Sequence, residues 1–403
     1  MVWKLKDLTV DEKGSYGIGA PAVPYQENKL TYLRITDIND DGSLNFSDLK
    51  SVDAEDAEKY ILKENDIVFA RTGNSTGRSY FYEKQHGTFV YAGFLIKFSL
   101  DPNKVNPRIL KYYTHSKPYF DWVNSFDTGA TRGNINAKTY GDMEIELPSR
   151  KVQDKIVSIL SSLDRKIELN NKINADLEEM AQAIFKNWFV DFEPFKDGKF
   201  VDSELGMIPE GWKVGTLGEF CKCLLGGTPS RSKEEYWNGE INWINSGEIN
   251  KFRILEASEK ITELGLAKSA TKLLPKKTTV LAITGATLGQ VSLLEIDSCA
   301  NQSVIGVLEN AEVPYEYIYP FIKDRIEMLI QHQTGGAQQH INKDNVESLI
   351  FLFPTKNVLK DYISLVRPMY KRIESLCFEN LYLSLLRDTL LPRLMSGEIE
   401  ILE

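Results

Sequence analysis

A repeat with an offset of slightly more than two hundred residues is the feature that most constrains the fold of this chain. Four segments recur in the same order: 66–78 as 278–290, 32–39 as 243–250, 3–5 as 212–214 and 128–136 as 334–342. The offset drifts only between 206 and 212, which short insertions and deletions explain. Because this period far exceeds the repeat of a solenoid, about 20–50 residues, the sequence predicts two whole domains.

The composition of the 403-residue chain is that of a soluble globular protein, with 42% hydrophobic and 26% charged residues. A chain of this length can form two domains with separate cores. The formal net charge of −9 argues weakly against a nucleic-acid partner, because domains that bind nucleic acids are usually basic. A local positive groove is sufficient for phosphate contacts, however, so the charge does not exclude DNA.

The cysteines indicate neither a disulfide framework nor a metal site. Cys221, Cys223, Cys299 and Cys377 have no CxxC spacing and no histidine-rich neighbour, which argues against zinc and predicts buried thiols. No signal peptide follows Met1, and no apolar run approaches the ~18–20 residues of a transmembrane helix. These features predict a reduced, cytoplasmic protein that binds no metal.

Each half begins with a stretch of short strands and turns, over 1–150 and 212–354. Short stretches rich in β-branched and aromatic residues predict strands at 30–38, 67–70, 80–82 and 94–98, and again at 241–244, 279–283, 291–294 and 303–308. One helix is predicted in each half, at 107–123 and 314–331. The sequence therefore predicts two domains of mixed α/β class.

A long amphipathic run follows each domain. In 151–192 a coiled-coil spacing of four and three residues connects Ile156, Leu160, Leu163, Ile167, Asn170, Asn174, Leu177, Ala181, Ile184 and Trp188. The two asparagines cost stability but can fix the register of paired helices. Pro194 ends the run, because proline lacks an amide and disfavours helix at the preceding residue. A connector at 193–211 follows, and Phe192, Phe195 and Phe200 are expected to pack against another part of the chain.

The second run, in 355–403, has the same spacing at Val358, Tyr362, Leu365, Met369, Arg372, Leu376, Glu379, Leu383, Leu386 and Leu390. Pro368 lies within it and is expected to kink the helix or to delay its start. Either helix could be a core helix of its own domain. Their length and repetition favour two long helices that lie against each other.

The chain lacks the common catalytic motifs. No GxGxxG, GxxxxGK[ST] or HExxH sequence is present, and the [DNS]PP[YFW] sequence of amino-methyltransferases is also missing. The four histidines, His86, His115, His332 and His340, do not recur at equivalent positions of the repeat. These absences favour a binding protein over an enzyme.

The most closely repeated segments, 72–78 and 284–290, are Gly- and Thr-rich turns after hydrophobic strands. Backbone amides and hydroxyl groups of such turns can bind phosphate oxygens. The predicted DNA-binding residues here are Arg71, Thr72, Asn74, Ser75, Thr76 and Arg78 in the first copy, and Thr284, Thr287 and Gln290 in the second. The alternative is a hairpin turn that is kept for its geometry alone.

A second pair of segments, 131–138 and 337–343, keeps its frame and changes its side chains. Arginine, asparagine, glutamine, histidine and lysine are the residue types that read base edges. The predicted DNA-binding residues are Thr131, Arg132, Asn134, Asn136 and Lys138, and Gln338, Gln339, His340, Asn342 and Lys343. Because Asn136 and Asn342 are shared, they could instead cap the following structure. Two different readers separated by long helices would match an asymmetric, bipartite DNA site whose spacing the helices set.

Several segments resemble the specificity subunit of type I restriction–modification enzymes. They are 206–213 (GMIPEGWK), the Gly-Gly-Thr-Pro-Ser turn at 226–230 with 236–239 (YWNG), 184–190 (IFKNWFV) and 390–399 (LLPRLMSGEI). The resemblance covers essentially the whole chain and adds Thr228, Ser230 and Arg231 to the predicted DNA-binding residues. The first copy lacks this turn and has Gly-Ala-Pro-Ala at 19–22 instead.

The resemblance implies a mixed α/β fold with two target recognition domains, 1–150 and 212–354. Two long antiparallel conserved helices, in 151–192 and 355–403, would separate them and dock two modification subunits. The chain itself would be non-catalytic and bind no cofactor. S-adenosylmethionine, ATP and Mg²⁺ would be bound by the modification and restriction subunits. A protein-interaction scaffold without DNA readout is the alternative, and a fused restriction or methylation enzyme is disfavoured by the missing motifs.

Overall fold

The computed structural model describes residues 1–126, 133–331 and 340–399 of the chain. It consists of two compact units. Unit 1 comprises Met1–Lys166 and Leu383–Glu403, and unit 2 comprises Ile167–Tyr382. The two long helices therefore contribute to both units.

Short strands and helices form the first part of the chain. The strands are β1 (Val2–Lys4), β2 (Ser15–Tyr16), β3 (Ala22–Pro24), β4 (Thr31–Leu33), β5 (Lys50–Val52), β6 (Asp66–Ala70), β7 (Ser79–Phe81), β8 (Phe89–Tyr91), β9 (Leu95–Ser99) and β10 (Glu144–Glu146). The helices are α1 (Arg108–Tyr113), α2 (Lys117–Asn124) and α3 (Ala137–Gly141). The helix α4 (Arg150–Phe189) follows.

The second part of the chain repeats this order. Its strands are β11 (Phe200–Ser203), β12 (Gly206–Pro209), β13 (Lys213–Thr216), β14 (Lys222–Leu225), β15 (Trp237–Ile244), β16 (Glu259–Ile261), β17 (Leu273–Leu274), β18 (Thr279–Ala282), β19 (Val291–Leu293), β20 (Ser298–Ala300), β21 (Val304–Leu308) and β22 (Ile350–Phe353). Its helices are α5 (Leu217–Phe220), α6 (Glu263–Ala267), α7 (Tyr315–Gln331), α8 (Lys343–Glu347) and α9 (Lys356–Met395).

The sheets of the two units have the same plan. One four-stranded sheet has the order β2-β9-β6-β7 in unit 1 and β14-β21-β18-β19 in unit 2. A second contains a parallel pair, β4 with β8 in unit 1 and β15 with β20 in unit 2. A two-stranded sheet pairs the first strand of each copy with the last, β1 with β10 and β13 with β22. The predicted mixed α/β architecture with an internal repeat is thereby confirmed.

Two predicted elements differ in detail, and a third is confirmed. The segment 30–38 is the strand β4 followed by a 3-10 turn, Ile35–Asp37. The predicted helix at 107–123 is two helices, because Ser116 has an extended backbone and Pro118 lies in the first turn of α2. The predicted helix at 314–331 is one element, α7, in spite of Pro320 inside it.

Helices α4 and α9 run antiparallel in unit 2. Asn170 on α4 contacts Asn380 on α9, and Asn174, one turn further along α4, contacts Cys377. The predicted stripe of α4 is confirmed, since all ten of its residues are buried or partly buried. Their pairing confirms the interpretation that the long helices lie against each other.

The predicted stripe of α9 is partly wrong. Leu365, Arg372 and Leu386 are exposed, and the buried face instead includes Val366 and Ile373. The buried face therefore drifts by one residue relative to a strict heptad. Pro368 does not delay the start of α9, which begins at Lys356. It lies on the exposed face, where burial of the opposite face can outweigh one lost hydrogen bond.

The predicted connector at 193–211 contains a 3-10 turn, Glu193–Phe195, and the hairpin of β11 and β12. Phe192 adopts a left-handed backbone conformation with φ 55°, which turns the chain away from α4. Phe192 and Phe195 both pack against the hydrophobic core of unit 2. The expectation that these phenylalanines pack against another part of the chain is confirmed.

Candidate nucleic-acid interface

The two loops predicted to bind DNA have the same internal hydrogen bonds. Three N–H groups in each loop donate to nearby carbonyls at 2.9–3.2 Å: those of Thr76, Gly77 and Arg78 in unit 1, and those of Leu288, Gly289 and Gln290 in unit 2. These amides are satisfied within the loop. A phosphate contact would therefore have to use other amides or the hydroxyl groups.

Two glycines per loop have a left-handed backbone, with φ 72° and 89° at Gly73 and Gly77. Their counterparts Gly285 and Gly289 have φ 73° and 84°. A Cβ on Gly77 would lie 2.6 Å from Val123 Cγ1 of helix α2, whereas a Cβ on Gly73 would meet no atom within 4 Å. The second glycine is therefore required both for its φ and for the close approach of the helix. This geometry supports the interpretation that the turn is kept for its backbone shape. The glycines do not constrain which polar side chains the loop carries.

The second pair of segments is attached to these loops in the same way in both units. The N–H of Ile135 donates to the carbonyl of Arg71 (3.0 Å), and the N–H of Ile341 donates to the carbonyl of Ile283 (3.0 Å). The predicted alternative for the shared asparagines is confirmed: Asn136 and Asn342 accept from backbone amides at the first turns of α3 and α8. Thr131, Arg132, Gln338 and Gln339 lie outside the described residues.

The candidate residues of unit 1 differ in how accessible their side chains are. Asn74, Asn134, Asn136 and Lys138 are exposed, Arg71, Thr72, Thr76 and Arg78 are partly buried, and Ser75 is buried. The Thr76 hydroxyl is 2.8 Å from the Gly73 carbonyl and 3.1 Å from that of Gly133. Arg78 donates from Nε to Asp40 Oδ1 (2.7 Å) and from Nη1 to the Ile38 carbonyl (3.0 Å). Arg78 would have to exchange Asp40 for DNA in order to read a base.

The candidate residues of unit 2 also differ in how accessible their side chains are. His340 and Asn342 are exposed, while Thr284, Thr287, Gln290 and Lys343 are partly buried. Lys343 Nζ lies 2.9 Å from Glu347 Oε1. Gln290 Oε1 is buried and has no hydrogen-bond donor among the residues that the structure describes. The structure therefore gives the two units a similar frame with different polar groups.

The Gly-Gly-Thr-Pro-Ser turn of unit 2 is packed against the backbone beside it. A Cβ on Gly226 would lie 2.1 Å from the Asn301 carbonyl oxygen, and one on Gly227 would lie 2.6 Å from the Thr271 nitrogen, so only glycine fits at either position. The exposed residues Thr228, Ser230 and Arg231 follow. The Thr228 hydroxyl donates to the side chain of Gln302, and the Ser230 hydroxyl lies 2.9 Å from that of Ser232.

Arg231 is held by its neighbours in the fold. Its Nη2 donates to Glu259 Oε2 (2.8 Å), and its Cζ lies 3.7 Å from the ring centroid of Trp237. Glu259 has a pKa below its ordinary value, because Arg231 donates a hydrogen bond to the ionised carboxylate. The guanidinium is therefore positioned by an ion pair on one side and a ring on the other.

The structure identifies a counterpart of this turn in unit 1, and it is not the 19–22 segment. Gly17 and Ile18 donate from their N–H groups to the carbonyls of Leu95 and Tyr91, as Gly226 and Gly227 do to those of Val304 and Ala300. The Tyr32 hydroxyl donates to the Ile18 carbonyl (2.9 Å), and Trp243 Nε1 donates to the Gly227 carbonyl (3.1 Å). The sequence comparison therefore placed the equivalent turn two residues too late, because it begins at Gly17 and not at Gly19.

Two exposed aromatic residues of unit 1 escaped the sequence analysis. The Arg71 guanidinium carbon lies 5.2 Å from the ring centroid of Tyr16 and 5.9 Å from that of Phe94. Tyr16 is 44% exposed and Phe94 55% exposed. Because these residues are far apart in the sequence, no local motif could indicate their proximity. We call Tyr16, Arg71 and Phe94 the arginine–aromatic cluster.

Buried charged groups attach the domain at 212–354 to helix α4. Glu178 accepts hydrogen bonds from Arg253 Nη2 (2.6 Å), the Tyr319 hydroxyl (2.6 Å) and Lys323 Nζ (2.8 Å). The side chain of Arg253 is 1% exposed and that of Glu178 is 11% exposed. Burial acts to raise the pKa of Glu178, but Arg253 and Lys323 outweigh it and hold the pKa below its ordinary value.

A similar arrangement occurs in unit 1. Asp164 of α4 accepts a hydrogen bond from the Tyr112 hydroxyl (3.0 Å) and lies 3.1 Å from both Lys111 Nζ and Arg387 Nη1. Burial acts to raise the pKa of Asp164, and the two cations lower it below its ordinary value. The domains at 1–150 and 212–354 are thus each attached to helix α4 through a buried carboxylate.

The four cysteines are free and buried, as predicted. Along residues 1–126, 133–331 and 340–399, no helix combines the length and the apolarity needed to cross a membrane.

Comparison with known proteins identifies the family. The family model described as "Type I restriction modification DNA specificity domain" matches residues 2–179 and 209–365. The chain therefore belongs to this family, and it contains the domain twice.

Individual relatives agree with this assignment. The MjaIX specificity subunit of a type I restriction enzyme from Methanocaldococcus jannaschii is 28% identical over 300 residues, which cover 73% of this chain and 69% of the relative. The HindI specificity subunit from Haemophilus influenzae is 24% identical over 405 residues, which cover 85% and 88% of the two chains. The crystal structure of a type I restriction–modification S subunit from M. genitalium has the same fold, with a TM-score of 0.57 at 16% identity over 98% of this chain and 96% of that one.

Proposed function

We propose that this chain is the DNA sequence-specificity subunit of a type I restriction–modification complex. Each unit reads one half of an asymmetric, bipartite DNA site. The observation that carries this proposal is the pair of loops 71–78 and 283–290, which share hydrogen bonds and glycine geometry but present Arg71 and Arg78 in one unit and Ile283 and Gln290 in the other. A constant frame with variable polar groups suits two modules that read different bases.

The long helices are proposed to set the distance between the half-sites and to dock modification subunits. Helices α4 and α9 have 40 residues each, which corresponds to roughly 60 Å at about 1.5 Å per residue. Their antiparallel contact in unit 2 includes Asn170, Asn174 and Asn380, polar residues that can fix a register. Helices of fixed register can act as a ruler.

The chain is proposed to contribute recognition without catalysis. In the complex, the modification subunits would bind S-adenosylmethionine and methylate adenine, and the restriction subunits would use ATP and Mg²⁺ for translocation and cleavage. No cofactor is assigned to this chain, and a cytoplasmic location is proposed with it. The acidic net charge of −9 is compatible with this role if the partner subunits supply much of the contact with the duplex.

Selection from random-sequence DNA tests the proposal, with the chain assembled with its modification subunits and with the chain alone. We expect an asymmetric motif of two short blocks separated by unspecified bases. The second candidate function, a protein-interaction scaffold, predicts assembly with the subunits but no enriched motif in either arm. That result, or a single contiguous motif, would contradict the proposal.

A further inference from the structure

The arginine–aromatic cluster of unit 1 contains a cation, Arg71, that has no counter-ion within residues 1–126, 133–331 and 340–399. Among the described residues no carboxylate forms an ion pair with Arg71, whereas Arg78 is paired with Asp40 and Arg231 with Glu259. Arg71 Nε is also buried, and no group in the described part of the chain accepts a hydrogen bond from it. A buried donor in this state costs free energy, which a ligand that supplies acceptors to the guanidinium can offset in part.

The cluster is held in place by backbone contacts on three sides. The N–H of Arg71 donates to the carbonyl of Phe94 (3.1 Å), and the carbonyl of Arg71 accepts from Ile135 (3.0 Å). The Tyr16 hydroxyl accepts from the N–H of Ala137 at the start of α3 (3.1 Å). The backbone of Arg71 and Phe94 and the ring of Tyr16 are therefore positioned before any ligand binds, which lowers the entropic cost of binding.

The second unit has the same three positions without the cation. Tyr16 lies opposite Ile96 in the sheet, as Leu225 lies opposite Ile305. The N–H of Ile283 donates to the carbonyl of Ser303, as that of Arg71 does to the carbonyl of Phe94. Unit 2 thus has leucine, isoleucine and serine where unit 1 has tyrosine, arginine and phenylalanine.

This difference indicates which part of a nucleic acid the cluster contacts. Both half-sites present the same phosphodiester backbone, so a phosphate contact would be useful in both units. A base contact is useful only where that base occurs. A guanidinium that is found in one unit alone therefore fits a base edge better than a phosphate, and arginine pairs with O6 and N7 of guanine.

We propose that the arginine–aromatic cluster reads a guanine in the half-site bound by unit 1. Arg71 donates from its guanidinium to O6 and N7 of the base, while Tyr16 and Phe94 act as positioning residues that hold the plane of the guanidinium. This inference rests on the proposed function, which it deepens by assigning one base contact to one unit.

The test is selection from random-sequence DNA with the assembled complex, for the wild type and three variants. Arg71→Lys keeps the charge and loses the planar fork. The triple variant Tyr16→Leu, Arg71→Ile, Phe94→Ser introduces the residues that the same frame accommodates in unit 2. Both are expected to lose the preference for guanine at one position, with affinity for the wild-type site about 10- to 100-fold lower and the other half-site unchanged. Phe94→Ala should relax the same position to a smaller extent.

Leu225→Ala is the matched control, because Leu225 occupies the equivalent position in unit 2 and is 41% exposed. It should leave the half-site of unit 1 unchanged. Retention of the other specified positions in the half-site of unit 1 shows in every variant that unit 1 is folded, and retention of the second half-site shows the same for unit 2. The dependence of the affinity on salt concentration separates the two sources of acceptors, since loss of a phosphate contact lowers the slope of log K against log salt by about one.

The outcomes are distinct. If the wild type selects no bipartite motif, the proposed function is wrong. If the wild type selects such a motif and Arg71→Lys leaves each position of it unchanged, the function stands and this inference is wrong. A uniform loss of affinity for all sequences, with a reduced salt slope, would assign Arg71 to a phosphate and would also overturn the inference.

Discussion

Replacing Glu178 by glutamine tests whether a buried ion network holds the domain at 212–354 on helix α4. The substitution keeps the size of the side chain and one carbonyl oxygen, and it removes the negative charge. Arg253, whose side chain is 1% exposed, and Lys323 would then lack their shared counter-ion. An uncompensated buried cation is the largest physical consequence of this change.

The expected loss follows from the burial of the two ionised partners. Removing one partner of a buried ion pair typically costs about 3–5 kcal/mol, because the remaining charge stays desolvated. For a unit of this size, about 2–4 °C of Tm corresponds to each kcal/mol, so the transition of unit 2 should fall by about 6–20 °C. The double variant Glu178→Gln, Arg253→Met should be more stable than Glu178→Gln alone, since the second change removes the unpaired cation.

Hydrogen exchange of the full chain in increasing urea is the suitable assay, because a chain of two units need not unfold in a single transition. Peptides from unit 2 report the loss, and peptides from unit 1 serve as an internal reference. Glu179→Gln is the control, since Glu179 is the exposed neighbour of Glu178 on the same helix and should change stability by less than about 0.5 kcal/mol. A loss below about 1 kcal/mol for Glu178→Gln would refute the reasoning.

Three further predictions concern the loop, the helix pair and the pH. Gly77→Ala should destabilise unit 1 by about 2–5 kcal/mol in urea unfolding, because φ is 89° and the new Cβ would clash with Val123. Gly73→Ala should cost only about 1–2 kcal/mol, because its Cβ would meet no atom within 4 Å and only the backbone strain remains. Equal losses of stability in the two variants would contradict this reasoning. Asn174→Leu should raise the urea midpoint of unit 2 by removing a buried acceptor without a partner, and a lower midpoint would show that this acceptor is satisfied. The folded-state pKa of Glu178 lies below its unfolded value, so its contribution to the stability of unit 2 is present above about pH 4.3 and is lost as the pH falls through the folded value. The wild type should therefore lose more stability than Glu178→Gln between about pH 7 and pH 3, and parallel pH profiles would exclude this role for Glu178.

Repetition and periodicity in the sequence were sufficient to predict the architecture. Both depend on the spacing of hydrophobic residues. This spacing is kept when the two copies differ in sequence, because the side of each element that faces the core must stay apolar. The same patterning misplaced the buried face of α9, where Leu365 is exposed and Val366 is buried. A helix packed against both a partner helix and a domain buries a wide and drifting face, and a strict heptad cannot describe it.

The candidate site was predicted less completely, because contacts between distant residues decide it. Asn136 could be considered as a cap from its position alone, and its side chain does accept from Thr139. The pairing of Arg78 with Asp40 has no local signal, nor does the approach of Tyr16 and Phe94 to Arg71. These contacts depend on neighbouring strands whose register is set by the whole sheet.

The most direct test of the two-reader account is a chimera in which residues 212–354 are replaced by a second copy of residues 1–150. DNA selected by the assembled chimera should contain the half-site of unit 1 twice, with the half-site of unit 2 absent. Retention of the two original, different half-sites would contradict the account, because recognition would then reside outside the exchanged residues.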